Sequence, residues 1–177
     1  VRNFRAILGG WHYSQENLTM FKRIHTYDLD GVLVDTAHRY RNLPDGSIDM
    51  PYWNKNHTEE KIAQDKILPL AKQFLADCLN PETYCILCTV RTMHILDIAF
   101  IVGRLGAPDN LLMVGEPRPP YSLDYILKRR ALTRIFNLRQ FSKLPKKLWE
   151  DNIRNIENLQ NLFDRCYYVP SRITARN

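Results

Sequence analysis

Tyr84-Cys85-Ile86-Leu87-Cys88 is a near-continuous apolar run of strand length, and no other stretch of the 177 residues constrains the fold so tightly. A strand apolar at every position has no face to give to water, so it belongs in a sheet covered on both sides, typically a parallel sheet with helical crossovers. The flanking sequence agrees. Glu59 to Asn80 reads as a helical region interrupted by Pro69, where a helix starts; Leu70, Phe74 and Cys78 then recur at i, i+4, i+8, and Pro81 stops it. Ile95, Ile98, Ala99, Val102 and Leu105 follow at helical spacing, with Gly106 at the C′ position. Leu111-Leu112-Met113-Val114 reads as a strand and Pro117 to Pro120 as a loop, and Ser122 caps a helix running to about Asn137. Leu148-Trp149 ends another strand, Ile153, Ile156, Leu159 and Phe163 mark a helix, and Cys166-Tyr167-Tyr168-Val169 is a last strand. With Arg23-Ile24-His25-Thr26-Tyr27 as the first strand, strands and helices alternate, which predicts an α/β sheet with right-handed crossovers. Residues 42–58, holding Asn42, Pro44, Asp45-Gly46-Ser47, Pro51 and Asn54, read as loop or small insertion rather than helix. Residues 1–20 carry no strong period, so they are a strand or an extension of uncertain structure.

The hydrophobic fraction of 45% and charged fraction of 25% fit one soluble globular domain over residues 1–177 and exclude a disordered or collagen-like chain. No apolar run approaches the roughly 20 residues that span a bilayer, so no membrane partner is expected. The apolar stretch before Gly9-Gly10 is too short for a signal peptide. Cys78, Cys85, Cys88 and Cys166, three of them in apolar context, suggest reduced thiols and an intracellular, cytoplasmic protein. A net charge of +6 suits a phosphate, nucleotide or nucleic-acid partner, and equally a basic surface that only aids solubility.

In α/β sheets ligands sit beyond the carboxyl ends of the strands. There the sequence delivers Asp28 and Asp30 after the first strand, Thr89 after the second, and Glu150 and Asp151 after the fourth, while Lys128 lies on the helix between the third and fourth. Residues i and i+2 of an extended chain face one side, so Asp28 and Asp30 repel each other. A divalent cation relieves that repulsion, and an all-oxygen site with retained waters suits Mg²⁺. The plainer alternative is an acidic turn; Asp35 is likewise read as a cap for the next segment.

Tyr27-Asp28-Leu29-Asp30-Gly31-Val32-Leu33 resembles the first motif of the haloacid dehalogenase (HAD) superfamily of phosphohydrolases. In chain order, Cys85-Ile86-Leu87-Cys88-Thr89 resembles its second motif, Lys128 its third, and Leu148-Trp149-Glu150-Asp151-Asn152 its fourth. The resemblance spans residues 24–155 and implies a Rossmann-like three-layer α/β/α sandwich with a central, mainly parallel sheet and a small cap insertion at roughly 36–66. It implies Asp28 as the nucleophile that forms an aspartyl-phosphate and Asp30 as general acid, then base. It further implies that Thr89 hydrogen-bonds a phosphoryl oxygen and Lys128 neutralises shared charge. Mg²⁺ would be held by Asp28, Asp151 and the backbone carbonyl of Asp30, with Glu150 assisting or orienting. Two positions depart from the pattern: Thr89-Val90-Arg91 stands where many relatives read Thr-Gly-Arg, and Asn152 where some have Arg. Arg91 is kept and is expected to reach substrate.

Cys85-x-x-Cys88 lies inside a buried strand, where i and i+3 face opposite sides, so core packing is favoured over zinc or redox chemistry. His25, His38, His57 and His94 show no metal-ligand spacing; His38 is expected on a helix surface and Trp149 in the core. Lys128-Arg129-Arg130, Arg134, Arg139, Lys143 and Lys146-Lys147 form a basic stretch that either meets a polyanion near the crevice, with Arg129 on substrate, or is a solvated helix face. Tyr52 and Trp53 in the insertion either stack on a base or form a mini-core. The charge and motif order also resemble the phosphatase domains of polynucleotide kinase-phosphatases and nucleic-acid repair HAD domains. The expected function is a Mg²⁺-dependent phosphomonoesterase acting on a nucleotide or nucleic-acid end. The alternatives are a phosphatase for another small metabolite and a catalytically idle binding module, the latter opposed by the intact Asp28, Asp30, Thr89, Lys128 and Asp151.

Overall fold

The computed structural model describes residues 21–44, 48–91, 93–108, 111–115 and 123–173. The expectations for residues 1–20, for the 117–120 loop and for Ser122 fall outside them. The strands are β1 (Arg23–Tyr27), β2 (Val34–Asp35), β3 (Lys66–Ile67), β4 (Thr83–Thr89), β5 (Leu112–Gly115), β6 (Lys146–Glu150) and β7 (Arg165–Tyr168). The helices are α1 (Met50–Lys55), α2 (Glu59–Ile62), α3 (Ala71–Leu79), α4 (Ile95–Ala99, continuing as a π-helical turn over Phe100–Arg104), α5 (Asp124–Phe136) and α6 (Ile153–Leu159). Five strands form one sheet in the order β5-β4-β1-β6-β7, every neighbouring pair parallel. The chain builds outward from β1 through β4 to β5, then crosses back to β6 and β7. The carboxyl ends of β4, β1 and β6 therefore lie side by side where the strand order reverses, which is where such sheets open a crevice.

The alternation of β4 explains both cores. Cys85 and Leu87 join Tyr27, Phe74, Phe100, Ile101 and Trp149 on one face, beneath α3 and α4. Ile86 and Cys88 join Ile24, Leu132 and Phe136 on the other, beneath α5. The result is the α/β/α layering expected from the apolar run. Cys85 and Cys88 face opposite ways, and all four cysteines are free. Burial pushes the Cys88 thiol up to about 12, an inert core group rather than a reactive one. Trp149 is buried and stacks between Tyr27 and Tyr167. Gly106 has φ +79°, the left-handed conformation that ends a helix. Among the described residues no helix is long and apolar enough to cross a membrane.

Two expectations need correction. Residues 42–58 contain a helix, α1. Asp49 accepts the Tyr52 backbone N–H at 2.9 Å and Pro51 occupies the first turn, so the loop-forming composition concealed ordinary helix-start chemistry. Glu59–Asn80 is not one broken helix: between α2 and α3, β3 pairs antiparallel with β2. The whole insertion is pinned by Arg39, fully buried, whose Nε and Nη2 donate to Asp65 at 2.9 and 2.7 Å.

Candidate active site

Alternation along β1 places Ile24, Thr26 and Asp28 on the face beneath α5, and Leu148 and Glu150 of β6 lie in register beside them. Helix α5 turns a stripe of Leu127, Lys128, Ala131 and Leu132 inward. Its one buried cation, 3% exposed, therefore meets the strand-end acids. Lys128 Nζ donates to Glu150 Oε2 at 2.6 Å and lies 3.0 Å from Asp28 Oδ1. Glu150, completely buried, also accepts from Asn155 Nδ2 at 3.0 Å and from the Asn152 backbone N–H at 3.3 Å. Glu150 thus anchors Lys128 through one oxygen and still brings an oxygen close to Asp28 and Asp151.

Asp151 completes the cluster; Ser171 Oγ donates to its Oδ2 at 2.5 Å. Gly31 is what lets the motif loop close on it. Its φ is +79°, and a Cβ there would overlap the Asp151 carboxylate and come within 2.8 Å of Ser171 Oγ. Asp28, Glu150 and Asp151 each bring an oxygen within 4.8 Å of the others. Among the described residues, three carboxylates thus share one ammonium. Burial, then Glu150, raises the Asp28 carboxyl well above the usual range, with Lys128 opposing. Burial, then Asp28, pushes Asp151 up to about 7. Burial alone would lower Lys128, but Asp28 and Glu150 hold it well above its ordinary value, so it stays charged. An excess of hard oxygen donors with too little positive charge fits a divalent cation such as Mg²⁺.

Asp30 sits on the rim, its side chain 23% exposed. Thr36 Oγ1 donates to its Oδ1 at 2.9 Å. Arg91 grips both of its oxygens, Nε reaching Oδ2 at 3.2 Å and Nη2 reaching Oδ1. The same guanidinium donates through Nη1 to Asp97 Oδ1 at 2.6 Å. Arg91 lines the cleft with these donors on two carboxylates. Thr89 Oγ1 accepts the Arg91 backbone N–H at 3.1 Å, leaving the hydroxyl proton available to a ligand.

The cleft, about 130 Å³, is lined by Asp28, Asp30, Thr89, Lys128, Glu150 and Asp151 from the sheet edge and by Tyr40, Met50, Trp53, Asn54 and His57 from the insertion. Arg129 is absent from it. One residue beyond Lys128, it points around the helix to the Asn158 carbonyl and to Asn161 Oδ1 at 2.8 Å. Lys146 and Lys147 stand at the amino end of β6, opposite the acids, so the basic stretch does not converge on the crevice. Tyr52 lies outside the cleft, with the Arg41 guanidinium 4.4 Å from its ring centre. Trp53 lines the cleft but is packed, with Arg39 and Arg91 at 4.4 and 5.2 Å and the Tyr40 and His57 rings edge-on. Both rings are half-buried among insertion side chains, and Trp53 also faces the cleft. Asp35 does cap the next turn, accepting from Ala37 N at 2.9 Å. His38 is exposed and bonds the Lys61 carbonyl. Sequence reasoning missed Asp97, His57, Asn155 and Ser171. Only Asp97 left a trace, as an acid three residues after a helix start, where its Oδ2 accepts the His94 N–H at 3.0 Å.

Residues 14–113 match the family described as the bacteriophage T5 5'-deoxynucleotidase. The 5'-deoxynucleotidase of Escherichia phage T5 is 32% identical over 104 residues, 55% of this chain and 42% of that protein. The chain thus spans about two-fifths of the length of that curated relative. Two structures of the HAD domain of the Legionella pneumophila effector Lem4 superpose with TM-scores of 0.52 and 0.51 at 12% and 13% identity. They cover 86% and 88% of this chain and 87% and 89% of theirs, a likeness that shows the HAD fold.

Proposed function

The chain belongs to the bacteriophage T5 5'-deoxynucleotidase family and has the HAD fold, and from that premise we propose that it is a Mg²⁺-dependent phosphomonoesterase for deoxynucleoside 5'-monophosphates. The observation that carries the reading is the placement of Lys128 between Asp28 and Glu150, with Asp151 alongside, at the carboxyl edge of the sheet. It is the arrangement needed to bring an anionic nucleophile to an anionic phosphate.

In this reading Asp28 attacks phosphorus through a carboxylate oxygen and forms an aspartyl-phosphate as the bond from phosphorus to the nucleoside oxygen breaks. Asp30, on the rim, gives its proton to the departing alkoxide, then takes one from the water that attacks the phosphoenzyme, releasing phosphate and restoring Asp28. Lys128 neutralises charge shared by Asp28 and the phosphoryl group, and Thr89 donates to a phosphoryl oxygen. Asp28, Asp151 and the Asp30 carbonyl would hold Mg²⁺, which supplies charge neutralisation on the phosphate oxygens. Residues 36–66 act as a small cap on one single domain, placing Tyr40, Trp53 and Asn54 beside the leaving group. The basic stretch lies away from the cleft, which favours a free nucleotide over a nucleic-acid end.

Phosphate release from deoxynucleoside 5'-monophosphates, 3'-phosphorylated oligonucleotides and sugar phosphates, with Mg²⁺ or EDTA, tests the reading. The expected result is Mg²⁺-dependent turnover of the mononucleotides, reduced by about 10⁴-fold or more in Asp28→Asn. Wild-type protein that hydrolyses none of them with any divalent metal would refute it.

A further inference from the structure

Asp30 is held in place from the insertion, by a chain of charge that no substrate contact explains. Arg91, 7% exposed, bridges Asp30 on the cleft rim and Asp97, itself 1% exposed, in the first turn of α4. Asp97 is fixed in turn by the His94 backbone N–H at 3.0 Å. His57, from the segment joining α1 to α2, brings Nε2 to 2.9 Å from Asp97 Oδ2. Its ring lies edge-on to Trp53 and to His94, centroids 6.1 and 4.8 Å apart, and is only 10% exposed. The buried Asp97 thus has the Arg91 guanidinium at one oxygen and, at the other, the His94 N–H with the His57 ring from the insertion beside it. Burial opposes its charge, but His57 and Arg91 together bring its carboxyl down to about 2.

Resting on the phosphatase reading above, we propose that His57 is a positioning residue for Asp30, acting through Asp97 and Arg91, so that the seating of the insertion sets the placement of the general acid. Removing His57 takes the imidazole from beside Oδ2 of a buried carboxylate and leaves that oxygen only the His94 backbone N–H. With that side opened, Asp97 can draw Arg91 toward itself or shift toward the space His57 held, and either movement changes the fork that orients Asp30. His57 touches no reacting atom. Its effect is confined to the step that needs a correctly aimed proton.

Leaving-group chemistry isolates that step. A nucleoside alkoxide is a poor leaving group and needs a proton as it departs, whereas p-nitrophenolate leaves without one. The ratio of kcat/KM for a deoxynucleoside 5'-monophosphate to that for p-nitrophenyl phosphate therefore reads the placement of Asp30. A loosened fold would move both values together. In the full chain with Mg²⁺, His57→Leu is expected to lower this ratio about 10- to 100-fold, part of the range general acid catalysis supplies. His57→Gln, which returns a polar side chain beside Asp97 Oδ2, is expected to restore most of it. Asp97→Asn is the second variant, keeping shape while removing the charge that holds Arg91, and is expected to lower the same ratio. An active enzyme whose ratio is unchanged in His57→Leu and Asp97→Asn overturns the coupling and leaves the phosphatase reading intact. A wild-type protein inactive on both substrates overturns that reading and the coupling with it.

Discussion

The carboxyl edge of the sheet and the insertion between β2 and β3 treat buried charge in opposite ways. At the sheet edge, Asp28, Glu150 and Asp151 face a single cation among the described residues, Lys128. Around the insertion each buried acid has its own partner: Arg39 for Asp65, Arg41 for Asp49, Arg91 and His57 for Asp97. Compensated charge is scaffold, because it has nothing further to gain from a ligand. Charge left in excess is unfavourable until something positive arrives, so it marks where binding occurs.

The largest expected effect comes from breaking the compensated side. Arg39 and Asp65 are both fully buried and joined by two hydrogen bonds. Either Arg39→Leu or Asp65→Leu strands an unpaired charge and is expected to cost about 3–5 kcal/mol in urea unfolding. The double variant is expected to recover part of that loss, because it removes the stranded charge. Additive losses would mean that the pair is not the scaffold contact described here.

A smaller, pH-dependent effect separates the two regions. Asp151 has a folded value of about 7 against an ordinary 3.8, and Asp28 is displaced in the same direction. Between those values the unfolded chain has lost the proton and the folded one keeps it, so metal-free stability falls as pH rises through that window. Mg²⁺ favours the ionised acids and is expected to cancel the fall. Asp97 behaves oppositely. Held down at about 2, it contributes stability that is complete above the ordinary carboxylate value and lost as pH falls toward 2. Thermal unfolding across pH in EDTA and in Mg²⁺ checks both limbs. A metal-free profile flat from pH 4 to 7 would show that the sheet-edge charge is already compensated.

This division also governs what could be read in the sequence. The sheet edge was legible because it follows from rules of chain geometry. The apolar run at Tyr84–Cys88 demanded a sheet covered on both faces, alternation assigned each residue a face, and strand ends located Asp28, Thr89, Glu150 and Asp151. The insertion was not legible, because its order comes from side-chain pairing at long sequence separation. Asp49 and Pro51 are good helix-start residues, but Asn, Gly and Pro around them pointed to a loop. Arg91 was read as a substrate contact, and composition cannot say which acids a cation also meets, here Asp30 on the rim and the buried Asp97. For Glu150 the strand end gave the position but not the partners: alternation turns it under α5 toward Lys128 and Asn155.

Arg129 sharpens the comparison by its small expected effect. It adjoins Lys128 and carries the same charge, so any account based on charge density around the helix would give the two related importance. The helix turns about 100° per residue, which sends Arg129 away from the cleft to the Asn158 carbonyl and Asn161 on the surface. Those bonds tie α5 to the end of α6 in a solvent-accessible setting, where such contacts contribute roughly 0–1 kcal/mol. Arg129→Ala is therefore expected to change kcat/KM for a deoxynucleoside 5'-monophosphate by less than about twofold and unfolding free energy by under about 1 kcal/mol. A loss of tenfold or more in kcat/KM, with stability unchanged, would place Arg129 on the substrate after all. It would mean that positive charge is recruited to the phosphate from beyond the cleft, and the separation between binding charge and scaffold charge would fail at its simplest point.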